Sequence, residues 1–174
     1  MDPRAQRTQS LLLAALAQLL TTQNFDQLTV TGICQTANVS RKAFYTYYDD
    51  KYELIDAFSN QQLEQLDQAS HSNDQLSAVE RLTIWVTYLD QQRMLFAKLL
   101  TSDASYSFRR KFGAYLLTGL AHHEKNSIDR VTLTFLAAGF LGVIEGYITG
   151  QFTGTPQSIA VKLDALSRDQ ITLT

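Results

Sequence analysis

The sequence predicts an all-α protein in which an N-terminal three-helix helix-turn-helix domain precedes a larger helical domain. Apolar residues recur at three- and four-residue spacing, which is the period of an amphipathic helix. The 174 residues include only two prolines and eight glycines, and no useful length alternates polar and apolar residues as a strand does. We expect about nine helices, divided between residues 1–50 and residues 51–174.

Charge is unevenly distributed along the chain. The net charge of −2 is unlike that of a protein that coats nucleic acid nonspecifically. Residues 1–48 nevertheless hold four basic side chains and two acidic ones, namely Arg4, Arg7, Arg41, Lys42, Asp2 and Asp26. This local positive balance favours a limited contact with phosphates.

Cysteine content and hydropathy lead us to expect a cytoplasmic protein without a membrane span. The single cysteine, Cys34, cannot form an intramolecular disulfide, and its apolar neighbours predict a buried thiol. No secretion-signal pattern is visible near the N-terminus. The most apolar run, residues 131–149, carries polar residues and is predicted to be a buried helix.

The N-terminal segment predicts two short helices joined by a tight turn. A first helix over residues 4–23 precedes a second helix of about eight residues, for which Thr29 is a good N-cap. Asn38 tolerates the left-handed backbone of a sharp turn, and Ser40 caps a third helix that runs to about Tyr47. This order is the helix-turn-helix pattern.

Further helices are expected along the rest of the chain, with Ser105 and Asp129 as N-caps and Pro156 in a first turn. Their predicted ranges are residues 51–69, 75–90, 91–101, 105–122, 129–151 and 156–167.

The third helix exposes side chains that suit a DNA groove. Apolar residues are predicted to pack the short helices together: Val30, Ile33, Ala37, Val39 and Phe44. The residues left to face outward are Arg41, Lys42, Ala43, Tyr45 and Thr46. Arginine and lysine donate to guanine, and tyrosine and threonine reach phosphates or thymine methyl groups.

Residues 11–54 resemble the DNA-binding domain of the TetR family of transcriptional regulators. The resemblance lies in residues 28–30, 33, 37–40, 44–45, 47–48 and 51–54, and SRKAFYTYYDDKYEL is its most specific run. It implies that the helix beginning after Ser40 enters the major groove, with contacts from the five outward-facing residues. It also implies phosphate contacts by Thr29, Tyr47 and Lys51, while Tyr48 packs inward. Ser40, at the start of the same helix, is a further expected DNA-binding residue.

The C-terminal segment FLAAGFLGVIEGYITGQF, followed by TPQSIAVKLDAL, resembles the closing helix pair of one TetR-family subgroup. Such pairs typically form a four-helix bundle with a partner subunit, which implies a homodimer. Glycines at Gly139, Gly142, Gly146 and Gly150 mark much of one helix side, where each costs about 0.8–1.0 kcal/mol relative to alanine. The compensating close contact is either the dimer seam or a neighbouring helix of the same subunit.

An effector pocket is expected in the larger helical domain. Such pockets are mostly apolar with a few placed polar groups, and this domain holds aromatic residues and an isolated glutamate that match that composition. The candidate lining residues are Trp85, Tyr88, Phe108, Tyr115, Phe140 and Glu145. Membership of the ordinary core remains an alternative for each aromatic residue. Glu145 either pairs with a cationic ligand, pairs with an arginine across a dimer, or faces solvent.

No metal, cofactor or catalytic site is predicted. Adjacent His122 and His123 point about 100° apart on a helix and do not converge on one ion. Residues 109–111 are expected to be a solvated basic face. The chain shows no convergent nucleophile, base and orienting acid, so an enzyme is not expected.

Taken with these patterns, the resemblance implies a homodimeric repressor that binds a palindromic operator in double-stranded DNA and is released by a small-molecule effector. The alternative is a TetR-like coactivator or protein-binding partner with no sensing role.

Overall fold

The computed structural model describes residues 2–70, 76–101, 105–123 and 128–172, whose regular structure is entirely helical. The predicted all-α class is therefore confirmed. These ranges form nine α-helices, α1 to α9: Pro3–Leu20, Val30–Ala37, Arg41–Phe44, Lys51–Ser70, Ala78–Gln91, Arg93–Thr101, Ser105–His123, Arg130–Thr149 and Pro156–Thr172. A short 3-10 helix at Phe25–Gln27, which the sequence analysis did not predict, follows α1 and buries Phe25.

Predicted capping residues start several of these helices. Thr29, Ser40 and Asp129 each accept a hydrogen bond from a backbone N–H two or three residues later, at 3.0, 3.1 and 2.8 Å. Pro156 opens α9, where its missing N–H is not needed. The N-cap predicted at Ser105 concerns a side chain outside the described set.

The helices pack around one continuous apolar core. Helix α2 lies against α1 and α3, and α1 also contacts α4 and α6. Helix α4 continues from this group to pack on α5 and α7, while α5 lies along α9 and α7 along α8. The same buried cluster includes Leu16 in α1, Phe44 in α3, Phe58 in α4 and Phe140 in α8. The outward face of α3 is thus held on the same core that supports the rest of the chain.

Helix α8 has two apolar faces. Leu136, Phe140, Ile144 and Tyr147 are buried in the core, whereas the opposite side is exposed to solvent. We call this exposed side the α8 stripe; it consists of Val131, Thr134, Phe135, Ala138, Gly139 and Gly142. Among the described helices, α8 alone is long and apolar enough to cross a membrane by length and composition. Helix α8 is this apolar because it carries an apolar face in the core and a second apolar face on the surface.

The four glycines of this region have different surroundings. A Cβ added at Gly139 or Gly142 would meet nothing within 4 Å, so packing inside the subunit does not require these glycines. A Cβ at Gly146 would lie 2.5 Å from the ring of Phe152 in the same chain. Gly150 ends α8 in the left-handed region at φ 79°, where glycine is favoured. Within the regular part of α8, Gly139 and Gly142 are therefore open to a partner.

Candidate DNA interface and ligand cavity

The turn between α2 and α3 has the predicted left-handed residue. Asn38 has φ 52° and ψ 44°, the only positive φ of a non-glycine residue in the described ranges. The turn lets the N–H of Val39 donate to the carbonyl oxygen of Cys34 at 2.9 Å. Cys34 itself is buried, and burial raises the pKa of its thiol. The turn delivers Ser40 directly to the N-cap of α3.

Helix α3 is shorter than predicted, and the turn that follows it buries a second aromatic ring after Phe44. The helix ends at Phe44, and the N–H groups of Tyr47 and Tyr48 both donate to the Phe44 carbonyl oxygen at 3.0 Å. The rings of Phe44 and Tyr48 are both buried, with centroids 5.8 Å apart. Tyr48 therefore packs inward as predicted, and α3 is anchored on two inward rings.

The opposite side of α3 is open. Arg41, Lys42 and Thr46 are exposed, Tyr45 is 48% exposed, and Ala43 is half-exposed. The guanidinium of Arg41 lies 5.9 Å from the centre of the Tyr45 ring, a cation–π arrangement. Within the described ranges neither Arg41 nor Lys42 forms an ion pair. Both cations are available to an anion such as a DNA phosphate.

Two predicted phosphate contacts flank this face. Thr29 is exposed, and while its hydroxyl oxygen caps α2 its hydroxyl proton can still be donated. Tyr47 is half-buried at the end of the α3 turn. Their phosphate contacts remain predictions.

Lys51 occupies a different position from the one predicted for a phosphate ligand. Its ammonium group donates to the carbonyl oxygens of Phe25, Asp26 and Leu28, at 3.1, 3.1 and 2.9 Å. An ammonium group has three N–H donors, so all of them face protein backbone in this conformation. Lys51 therefore ties the start of α4 to the segment before α2, a role that residue spacing did not suggest. A phosphate contact by Lys51 would require at least one of these bonds to open.

A cavity of about 240 Å³ lies between α4, α5, α7, α8 and α9. Three of the six predicted pocket residues, Trp85, Tyr115 and Phe140, line it. The other lining residues are Asp67, Ala78, Arg81, Leu82, Leu116, Gly119, Leu120, Asp164, Ser167 and Arg168. The charged members of this set had not been singled out from the sequence, because charges on amphipathic helices usually face solvent.

Two predicted pocket aromatics belong to the core and not to the cavity. The Tyr88 hydroxyl donates to Oε1 of Gln65 at 2.9 Å, and partial burial raises the pKa of Tyr88. Phe108 is buried between Phe96 and Phe112, with ring centroids 6.1 and 5.6 Å away. Helical spacing alone did not separate these residues from the cavity lining.

Glu145 takes none of the three roles left open by the sequence. It forms an ion pair at 2.5 Å with Arg109 on α7 of the same chain. Lys111 on the same helix pairs with Asp56 of α4 at 2.6 Å. Residues 109–111 are therefore only partly the solvated face that was expected, since two of the three side chains join helices.

The described residues contain no group of three or more metal-ligating side chains. The side chains of His122 and His123 lie outside the described set.

The matching family model is described as "Bacterial regulatory proteins, tetR family" and covers residues 12–58. This span includes α2, α3, the intervening turn and every predicted DNA contact.

A curated relative and two solved structures are similar over longer stretches. The chain is 27% identical over 100 residues to the HTH-type dhaKLM operon transcriptional activator DhaS of Lactococcus lactis subsp. lactis (strain IL1403). That alignment covers 57% of this chain and 52% of DhaS, so it spans about half of the relative's length. The structure of a dihydroxyacetone kinase operon activator DhaS superposes with TM-score 0.70 and 18% identity, over 95% of this chain and 97% of the other. A TetR transcriptional regulator from Streptococcus agalactiae 2603V gives TM-score 0.72 and 20% identity, over 95% and 96%.

At these identities the two structures show a shared fold, and this fold extends from the helix-turn-helix through α9. The family match supplies the sequence relationship over the DNA-binding segment. Residues 12–58 thus match the tetR family of bacterial regulatory proteins, and the chain shares its fold with a TetR transcriptional regulator over 95% of its length.

Proposed function

We propose that the chain is a cytoplasmic homodimeric repressor that binds a palindromic operator and leaves it when a small molecule enters the cavity. Residues 1–50 act as the DNA-binding domain and residues 51–174 as the effector-binding and dimerisation domain. The observation that carries the proposal is the outer face of α3, where unpaired Arg41 and Lys42 accompany exposed Tyr45. Two arginine or lysine donors beside an aromatic hydroxyl suit guanine edges and phosphates.

The α8 stripe supports dimerisation. Its residues carry no charge, and Phe135 is 62% exposed although it is a large apolar side chain. Helix α9 adds exposed Val161 and Leu166. A second copy of the chain would cover these surfaces symmetrically and present two α3 helices about 34–36 Å apart, which is one turn of DNA.

The cavity supports control by a ligand. Its wall includes Asp67 near the C-terminal end of α4, and the N-terminal end of the same helix follows α3. A molecule that fits the cavity at only one separation of the two α3 helices would shift the dimer toward that state.

The similarity to DhaS favours a second candidate function. That relative is named as a transcriptional activator of an operon. A TetR-like coactivator that depends on a protein partner, without small-molecule sensing, would keep the same α3 face.

The decisive experiment is footprinting of the purified protein on DNA that flanks its own gene. A symmetric protected site is expected. Arg41→Ala should weaken binding to that site by about 1–3 kcal/mol and relax its base preference. Arg110→Ala, an exposed arginine on α7, is the matched control and should bind as the wild type does.

Equal affinity of the Arg41→Ala and control variants would refute the DNA contact. Protection that forms only when a second protein is added would favour the coactivator.

A further inference from the structure

We propose that the cavity selects a small organic anion, a compact apolar or aromatic body that ends in a carboxylate bound by Arg81. This inference rests on the proposed function, because it takes this cavity to be the effector site. It goes further by assigning the chemical class of the ligand.

The apolar part of the lining is aromatic and compact. Trp85 is only 4% exposed and stacks on Phe112 with ring centroids 5.7 Å apart, and Phe112 stacks in turn on Tyr115 at 6.3 Å. Phe140 adds a ring from α8. The volume of about 240 Å³ is below the range of about 300–1,000 Å³ that holds drug-sized ligands. This wall suits a flat body of modest size.

The charged part of the lining contains one group that is left for a ligand. Asp164 and Arg168 form an ion pair at 2.9 Å, and the side chain of Asp164 is 12% exposed. Asp67 also has an interaction partner of its own. Arg81, by contrast, donates from one nitrogen to the carbonyl oxygen of Leu76 at 2.5 Å and pairs with no carboxylate in the described part of the chain.

The chemistry of Arg81 points to an oxyanion. A guanidinium carries five N–H donors in a fork that matches a carboxylate in two parallel hydrogen bonds. Half-buried Arg81 uses part of this fork on Leu76 and keeps donors for a ligand. A carboxylate in a partly desolvated cavity would meet a charge-assisted partner there, whereas an ammonium group would be repelled.

The spacing of Arg81 and Trp85 sets the shape of the ligand. The two residues lie four positions apart on α5 and therefore on the same face, separated by about one helical turn of 5.4 Å. A carboxylate on Arg81 would place the adjoining body against Trp85 and Tyr115.

Trp85 is the only tryptophan of the chain, so its fluorescence reports the cavity directly. The probes are phenylpropionate, phenylpropanol and phenylpropylamine, which share one body and differ in the charge of the end group. Excitation at the red edge of tryptophan absorption avoids the probe rings. We expect phenylpropionate to bind at least about tenfold more tightly than the alcohol or the amine, from one charge-assisted contact.

Arg81→Gln should remove this preference, and Arg81→Lys should keep only part of it because lysine lacks the fork. Arg110→Gln, which also removes an arginine charge but lies outside the cavity lining, should bind phenylpropionate as the wild type does. Thermal unfolding shows whether each variant is folded. Equal binding of the three probes, tighter binding of the alcohol or amine, no change in Trp85 fluorescence, or an unchanged preference in folded Arg81→Gln would overturn the inference.

The measurement contains no DNA, so it fails separately from the proposed repressor function. If the wild type protects the operator but binds none of the probes, the proposal of DNA binding stands and only the inference of an anion site is refuted. If phenylpropionate binds selectively but does not change the footprint, the anion site is supported and the proposed release of the operator by a ligand is refuted.

Discussion

Lys51 Nζ lies 2.9 Å from the carbonyl oxygen of Leu28, a residue 23 positions earlier in the chain. The same ammonium group sits 4.8 Å from the centre of the Phe25 ring. Leu28 immediately precedes Thr29, the N-cap of α2. The first residue of α4 therefore holds the backbone segment from which the helix-turn-helix starts.

Lys51→Met is expected to lower the free energy of unfolding by about 1.5–3 kcal/mol, because three carbonyl groups lose a charged donor. Urea denaturation followed by circular dichroism measures the change. Lys42→Met is the matched control, since Lys42 is exposed and unpaired, and it should stay within about 0.5 kcal/mol.

The two roles considered for Lys51 predict different results. A Lys51→Met variant of unchanged stability but weakened operator binding would show that the ammonium group contacts phosphate in the complex. Loss of stability without that change would leave it as a structural tie.

Arg93 makes a comparable set of hydrogen bonds at the C-terminal end of α8. Its guanidinium donates to the carbonyl oxygens of Tyr147 and Ile148 at 2.6 and 3.2 Å and pairs with Asp90 at 2.6 Å. These carbonyls belong to the last turn of the helix, where regular intrahelical donors run out, and the Tyr147 oxygen also accepts from the Gly150 N–H at 3.3 Å. The desolvation of Arg93 lowers its pKa, but interactions with Asp90 and, to a smaller extent, Tyr147 outweigh this and leave the pKa raised.

Arg93→Ala should therefore lower the free energy of unfolding by about 1.5 kcal/mol, the lower end for charged hydrogen bonds because the side chain is 37% exposed. Arg93→Lys should recover only part of this, since lysine cannot address two carbonyls and a carboxylate as a fork does. Arg110→Ala serves as the unpaired control in thermal unfolding. Equal melting temperatures for the Arg93→Ala and Arg110→Ala variants would contradict the role.

Local signals in the sequence predicted the helix-turn-helix well. Thr29, Asn38 and Ser40 act on residues within four positions of themselves, so their chemistry is readable from the order of residues alone. Contacts between distant segments were not readable. Glu145 meets Arg109 across 36 positions, and its partner depends on how α7 and α8 pack.

Three of the six predicted pocket residues do not line the cavity, for the same physical reason. Trp85 and Tyr88 are three residues apart on α5 and both follow the apolar period of the helix. Trp85 faces a gap between helices, whereas Tyr88 packs against Phe96. Periodicity identifies the inward face of a helix but does not show where neighbouring helices leave space.

Asp56 gives the stability of the chain a predictable dependence on pH. A hydrogen bond from Lys111 is the main cause that lowers the pKa of Asp56 below its ordinary value of 3.8, with a further bond from Ser107. A lowered folded-state pKa contributes stability that is present above the ordinary value and is lost as the pH falls through the folded value. The contribution of Asp56 should therefore disappear only below about pH 4.

Asp56→Asn should be less stable than the wild type at neutral pH by less than about 1 kcal/mol, because the carboxylate is 44% exposed. The difference should close in strongly acidic buffer, as measured by urea denaturation at both pH values. Asp49→Asn, at an exposed site nearby, should show no such closure. A difference that grows on acidification would have the wrong sign for this pair.

Phe135 and Met94 offer a direct test of the dimer surface. Both are large apolar side chains that are more than half exposed, but only Phe135 lies in the α8 stripe. Phe135→Glu should weaken dimerisation by about 2 kcal/mol or more, because it buries a carboxylate against its own symmetry mate without a partner. Met94→Glu makes the same chemical change on α6 and should leave the dimer intact. Sedimentation velocity over a range of protein concentrations measures both.

A second substitution separates the seam from general misfolding. A Cβ added at Gly142 meets nothing within 4 Å and the position is exposed, so Gly142→Leu should fold normally, as judged by far-UV circular dichroism. In the dimer the added leucine would stand where the partner helix approaches, and dimerisation should weaken as it does in Phe135→Glu. If both variants remain dimeric while keeping wild-type helicity, the subunits must meet through another face, and the distance between the two α3 helices would have to be set by different residues.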